Sequence, residues 1–108
     1  MIVEKTNAFS KDITHLGKTE KKLLKGRIKD IISEPERFKP LLHYKNVRTA
    51  KIGGKRLLYQ YLKEEGKIIL LMFKSRDAVY AYLKGALYLY GIKRLLEEGE
   101  DAEKLFEI

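Results

Sequence analysis

A glycine pair at Gly53-Gly54 sets two strand-like runs against each other, and it constrains the fold of this chain more tightly than any other stretch. Val47-Arg48-Thr49-Ala50-Lys51-Ile52 precedes the pair and Lys55-Arg56-Leu57-Leu58-Tyr59-Gln60-Tyr61 follows it. Glycine adopts the positive φ angles that a two-residue hairpin turn of type I′ or II′ demands. With Ile52 facing Lys55, Lys51 lies directly opposite Arg56, and Thr49, Leu58, Val47 and Gln60 share their face. Ala50, Ile52, Leu57, Tyr59 and Tyr61 take the other. One face of the hairpin is therefore apolar, while the other carries two facing cations. Like charges placed opposite each other destabilise a sheet by something under about 1 kcal/mol, so this pair either splays into solvent or awaits an anion.

A second hairpin extends the same face. Glu64-Glu65-Gly66 suits a three-residue loop that ends in a left-handed glycine. That register sets Arg56 against Lys74 and leaves Arg76 on the same face, one pleat on. A slip of one residue would carry Lys74 and Arg76 to the opposite face, because side chains alternate with period two.

The charge of the chain points the same way. Net charge is +8 over 108 residues, but residues 1–76 hold 19 Lys and Arg against 8 Asp and Glu, whereas residues 77–108 hold 4 against 7. A basic body with an acidic tail is the electrostatic footprint of a protein that meets a polyanion, most simply nucleic acid, with an anionic membrane surface as the lesser option. A heat-adapted surface rich in Lys and Glu would explain the abundance of charge but not its positive excess. The length suits one domain with a single core. The absence of cysteine rules out a disulfide, a thiol nucleophile and a thiolate metal site. No secretory signal and no apolar run long enough to span a bilayer are visible. The expectation is a soluble, cytoplasmic protein.

Read in order, Ile2 to Thr6 is a strand, and Asn7 caps a helix from Ala8 to about Leu16 that Gly17 ends. Thr19 caps a second helix, from about Glu20 to Ser33, whose apolar stripe is Leu24, Ile28 and Ile31, widened by Leu23 and Ile32. Lys21, Lys22, Lys25 and Lys29 occupy its other side and read as a solvated face. Glu34-Pro35 stops the helix, and a loop through Pro40 leads by Leu41, Leu42 and Tyr44 to the hairpins. Ile68 to Phe73 is apolar on both sides, as expected of a strand covered on both faces. After Arg76 the period changes to that of a helix, from about Asp77 to Leu96, with one stripe at Val79, Leu83, Leu87 and Tyr90 and a second at Tyr82, Ala86, Leu89 and Ile92. Gly85 and Gly91 weaken it, and Gly99 precedes a short acidic end. The fold class is α+β: an N-terminal strand, two helices, an antiparallel sheet of about three further strands and an additional C-terminal helix.

This order resembles the RelE/ParE toxin superfamily over about residues 1–80. The resemblance is carried by the helix ending Ile31-Ile32-Ser33-Glu34-Pro35, by the run Lys51 to Tyr61 across the glycine turn, and by Phe73-Lys74-Ser75-Arg76-Asp77-Ala78-Val79-Tyr80. These match the family's late-helix Pro, its Gly turn followed by an Arg and an apolar-aromatic strand, and its closing Arg followed by Tyr. Residues 81–108 run past the resemblance, as a C-terminal helical extension packed on the same domain or on a second copy of the chain.

The resemblance implies a metal-independent ribonuclease, needing no cofactor, that cuts messenger RNA, in many members on the ribosome, and is neutralised by a cognate antitoxin. In such enzymes the ribose 2′-oxygen attacks the adjacent phosphate while side chains supply a base, an acid and positive charge. Position by position, Lys51 matches a basic residue of the first hairpin strand, Arg56 the Arg after the turn, Arg76 the closing Arg and Tyr80 the C-terminal Tyr. Arg48, Lys55 and Lys74 are the accompanying RNA-binding candidates. The chain departs from the family at Thr49, where many of its ribonucleases carry a second Lys or Arg, and Lys74 is the substitute.

Three of these residues have a plainer reading, whereas Arg56, inside a strand between apolar neighbours, is harder to explain so. Lys51 alone suits a solvated strand lysine, Tyr80 a packing residue, and Arg76 an ion pair with Asp77 or a C-terminal glutamate. His15 and His43 stand isolated, without triad or zinc spacing. Two other functions also remain: a ParE-like or catalytically inactive member acting by protein contact, as the ParE branch does on gyrase, and a plain nucleic-acid-binding module.

Overall fold

The computed structural model describes residues 1–41 and 44–84. Five strands form one sheet in the order β1-β5-β4-β3-β2: β1 (Ile2–Lys5), β2 (Lys39–Leu41), β3 (Tyr44–Ile52), β4 (Lys55–Leu62) and β5 (Lys67–Ser75). β1 runs parallel to β5 and every other pairing is antiparallel. Helices α1 (Asn7–Asp12) and α2 (Lys18–Ser33) fill the connection between β1 and β2, and a third helix, α3, covers residues 76–84. The α+β architecture expected from the sequence is present, with the short edge strand β2 added where a loop through Pro40 is expected.

The sheet is covered on both faces. Phe9, Leu16, Leu24 and Ile31 from the α1–α2 layer pack against Ala50, Ile52, Leu57, Tyr59, Ile68, Leu70 and Phe73. On the other face, Val79 and Leu83 of α3 pack against Val47, Leu58, Leu71 and Met72. The alternation expected for β3 and β4 is the one observed, and their register matches residue for residue, with Ile52 opposite Lys55 and Lys51 opposite Arg56. Only the first glycine of the turn has a positive φ, +59°. This is the pattern of a type II′ turn, in which the first central position alone needs it.

The second hairpin corrects the sequence expectation and then rejoins it. Its loop is four residues long, a single 3-10 turn at Lys63–Glu65 closed by Gly66 at φ 60°, so Leu62 pairs with Lys67 and Gln60 with Ile69. That is one residue out of the expected register. Between the pairs Tyr59–Leu70 and Leu58–Met72 the ladder shifts, with Leu71 as the extra residue of a β-bulge. Leu71 and Met72 consequently point to the same face, and beyond the bulge Arg56 lies opposite Lys74 as expected. The bulge absorbs the slip that would have turned Lys74 away.

Local hydrogen bonds explain the shifted helix boundaries. Thr6, not Asn7, caps α1, because its hydroxyl both accepts from the Phe9 amide at 3.1 Å and donates to the Leu71 carbonyl at 2.7 Å, tying the helix start to β5. α2 begins two residues early, with Gly17 as its N-cap and no side-chain cap bond. Among the described residues no strand pairs with the β1 side of β5 past Leu70, and Asp12 at the end of α1 takes over by accepting from the Phe73 amide at 3.0 Å. The connection from α2 to β2 is pinned to the sheet by Tyr59, whose hydroxyl donates to the Pro35 carbonyl at 2.7 Å, and by Arg48, which donates to the carbonyls of Glu36 at 3.0 Å and Phe38 at 2.8 Å. Burial pushes the Tyr59 phenol up to about 12, partly offset by the nearby Arg48. His43, Gly85, Gly91, the rest of the expected helix, the acidic end and the proposed dimer contact lie outside the described residues.

Two outcomes test this account. Gly53→Ala places a side chain in the left-handed region and should cost about 1–2 kcal/mol, whereas Gly54→Ala, which meets nothing within 4 Å, should be nearly neutral in denaturant melts. Tyr59→Phe should cost about 1 kcal/mol at neutral pH by removing one hydrogen bond. A phenol whose pKa is raised on folding stabilises the native state fully below its unfolded value near 10, and this contribution is lost as pH rises towards 12. The stability gap between wild type and Tyr59→Phe should therefore narrow across that window; a gap that widens would contradict the assignment.

Candidate nucleic-acid interface

The two hairpin registers place Lys51, Arg56 and Lys74 side by side across β3, β4 and β5, on the face that α3 covers further along. Adjacent Cα atoms in such a ladder stand about 4.5–5.5 Å apart, close enough for all three cations to reach one anionic group. Their partners differ. Lys51 is exposed and makes no ion pair or side-chain hydrogen bond among the described residues. Arg56 is half-buried, and its guanidinium donates only to the Lys55 carbonyl, at 3.3 Å; no carboxylate lies within ion-pair distance among the described residues. The buried ion pair that would make Arg56 structural is therefore not found there.

Lys74 is held from the side. Its ammonium meets Asp12 Oδ1 at 2.7 Å, and the Asp12 side chain is only 8% exposed. Because the other Asp12 oxygen accepts from the Phe73 amide, the carboxylate is clamped and fixes the lysine in turn. This contact joins residues 62 apart in the chain, and no local pattern in the sequence signals it.

Arg76 is not the last residue of a strand. β5 ends at Ser75, whose hydroxyl accepts from the Ala78 amide at 3.2 Å and so caps α3, making Arg76 its first helical residue. The serine cap explains the turn from strand to helix. The Arg76 guanidinium lies 5.1 Å from the centre of the Tyr80 ring, and its contact with Asp77 is long, 4.0 Å, between two largely exposed side chains. An exposed pair of that length contributes little. Tyr80 itself packs against the cluster of Val47, Leu58, Val79 and Leu83, so it serves as a platform for Arg76. The N-terminus of α3, with its partial positive charge, follows directly on Lys74 and adds to the cationic rim.

Arg48 and Lys55 do not join the row. Each is one residue out of phase with it, which in a strand means the opposite face. Arg48 is spent on two carbonyls of the α2–β2 connection, and Lys55 on Glu20 of α2 at 3.0 Å, with its ammonium 5.4 Å from the Phe73 ring centre. Below the row the same face holds Thr49 and Gln60, both buried. Gln60 Oε1 has no hydrogen-bond partner among the described residues. Thr49, opposite Leu58 one pleat below the row, supplies no further base there. Among the described residues no group of three or more acidic or histidine side chains is placed to hold a metal ion, and no helix is long and apolar enough to cross a membrane.

No protein-family model matches this sequence, and no curated protein does. Solved structures do match its fold. The isolated E. coli RelE toxin is 22% identical, covering 80% of this chain and 97% of its own, with a TM-score of 0.62. The RelB–RelE antitoxin–toxin complex of Methanococcus jannaschii gives 19% identity, 73% and 96% coverage and a TM-score of 0.60. YafQ from E. coli gives 17%, 72% and 96%, and 0.58. Strand order, the helix pair after β1 and the cationic hairpins thus stand together with the resemblance seen in the sequence: the chain has the fold of the RelE toxins.

Proposed function

We propose that this protein is a RelE-like toxin that binds messenger RNA along the Lys51–Arg56–Lys74 row and cleaves it, and that an antitoxin neutralises it. The observation that carries the reading is Arg56, a half-buried cation with a second cation on each side and no carboxylate among the described residues to balance it. A phosphate supplies the missing charge. As the 2′-oxygen attacks phosphorus, its proton passes to a base, the bond to the 5′-oxygen breaks and that oxygen takes a proton, leaving a cyclic phosphate and a free 5′-hydroxyl. Negative charge builds on the phosphoryl oxygens in between, where Arg56 and Arg76 stabilise it. Lys51, an ammonium with no partner among the described residues, supplies the proton that the 5′-oxygen takes, while Lys74, held by Asp12, holds the backbone. Tyr80 positions Arg76 from beneath. The antitoxin partner is supported by likeness to RelE as it occurs in complexes with RelB.

Two observations favour a second reading, in which the protein acts by contact with another protein and cuts nothing. Thr49 stands where a further base is expected, and Lys74 is already engaged by Asp12.

Arg56→Ala decides between them. Loss of one charge-stabilising contact should cost roughly 3 kcal/mol of barrier, about two orders of magnitude in rate, in messenger RNA cleavage assayed with purified ribosomes. The melting temperature should stay level or rise slightly, since the row loses a repulsive member; a collapsed melt would make Arg56 structural. A wild type that cuts nothing with or without ribosomes, yet arrests growth on expression, would establish the protein-contact reading. Binding of RNA should also weaken steeply with salt, because phosphate contacts release counterions. An affinity that is flat from low to physiological salt would remove the backbone contact.

A further inference from the structure

The basic surface of this protein has a second part, on the far side of the molecule from the cationic row. Lys18, Lys22, Lys25 and Lys29 of α2 fall at i, i+4, i+7 and i+11, one stripe of a helix, with Lys21 beside it. All five are exposed, and none makes an ion pair or side-chain hydrogen bond among the described residues. The acidic residues of the same helix are turned elsewhere, Glu20 to Lys55 and Asp30 to Arg27. The stripe is therefore uncompensated. Lysines three and four apart repel on a helix surface, and a glutamate at any of these positions would relieve the strain. A solvated face tolerates such a run but does not require four of its five lysines to share one stripe.

We propose that this stripe docks the protein on the phosphate backbone of a nucleic-acid duplex, an RNA stem, while the opposite face works on a single strand. The proposal rests on the reading of the protein as RNA-directed and adds a second contact to it. Geometry separates the two surfaces: α2 packs Leu24 and Ile31 on the face of Leu57 and Tyr59, whereas Lys51, Arg56 and Lys74 lie on the other face. A sheet and a helix about 10 Å across stand between them, so one strand cannot follow both. The stripe carries no aromatic side chain, whereas surfaces that hold single strands combine cations with aromatic platforms for the bases. Four lysines spread over about 17 Å of helix, without base-reading groups, suit a duplex that presents phosphates and hides its bases.

The test compares wild type, Lys18/Lys22/Lys25/Lys29→Gln and Arg56→Ala, using a blunt-ended RNA duplex as the binding probe and a short single-stranded RNA as the cleavage substrate. The four-lysine variant should lose at least tenfold in duplex affinity at low salt. Its dependence of log K on log salt should be shallower by roughly 3.6, since each of the four phosphate contacts contributes about 0.9. Its cleavage of the single strand should match wild type, and DNA of the same duplex sequence should show the same loss, because phosphates carry no sequence. Arg56→Ala should do the reverse, keeping duplex affinity and losing cleavage. If the four-lysine variant fails to fold, Lys22/Lys25→Gln should show about half the change in slope. The proposal is overturned if the stripe variant binds duplex with wild-type affinity and slope, if wild type does not bind duplex, or if duplex binding depends on Arg56 instead. Loss of poly-glutamate binding with duplex binding intact would also overturn it, assigning the stripe to an acidic protein. A protein that cleaves nothing leaves the duplex measurement valid, so the two readings fail separately.

Discussion

The ladder between β3, β4 and β5 is the constraint on which the rest depends. It forces Lys51, Arg56 and Lys74 into one row, at an electrostatic cost that the free protein bears, and it simultaneously sorts the apolar residues into two cores. These consequences cannot be separated, because one pairing register decides both. The β-bulge at Leu71 is where the competition is resolved. Towards the Gly66 turn, Ile68 and Leu70 must meet the α1–α2 layer; beyond the bulge, Phe73 must meet the same layer. An unbroken strand would put residues 68 and 73 on opposite faces, so one extra residue restores the alternation and carries Lys74 to the side of Arg56.

The surroundings of the row divide its cations into held and free. Asp12 satisfies an edge amide of β5 and at the same time fixes Lys74, so one carboxylate both ends the sheet and sets the geometry of the site. Tyr80 does a comparable double duty, filling the second core and offering its ring to Arg76. Arg56 lies between them, half-buried and lacking a carboxylate among the described residues. Preorganisation of this kind costs stability before a ligand arrives and spares reorganisation when it does. Part of the basic excess is gathered, into the row on one face and the α2 stripe on the other, while Lys5, Lys11 and Lys39 are exposed elsewhere.

Much of this was legible from the residues. The β3–β4 register, the sorting of their side chains and the opposition of Lys51 to Arg56 follow from the glycine turn, and the structure repeats them pair for pair. The Arg56–Lys74 opposition was legible too, although it is reached through a longer loop and a bulge, two compensating departures. Strand β2 was not legible, because a three-residue edge strand containing Pro40 has no periodicity to read. Thr6 displaced Asn7 as the helix cap because its hydroxyl also reaches the Leu71 carbonyl, 65 residues away.

What the sequence by itself determined is therefore local: a two-residue turn permits few pairings, and a period of two then assigns every side chain to a face. Tertiary structure alone decided which cations are available. Arg48 and Lys55 look as basic as Arg56 in the sequence, yet carbonyls of the α2–β2 connection bind the first and Glu20 binds the second. Asp12 restrains Lys74, and a serine cap draws Arg76 into a helix. Each of these outcomes depends on a partner from another element, brought near only when the two cores close on the sheet, and the distance along the chain hides such partners from any local pattern.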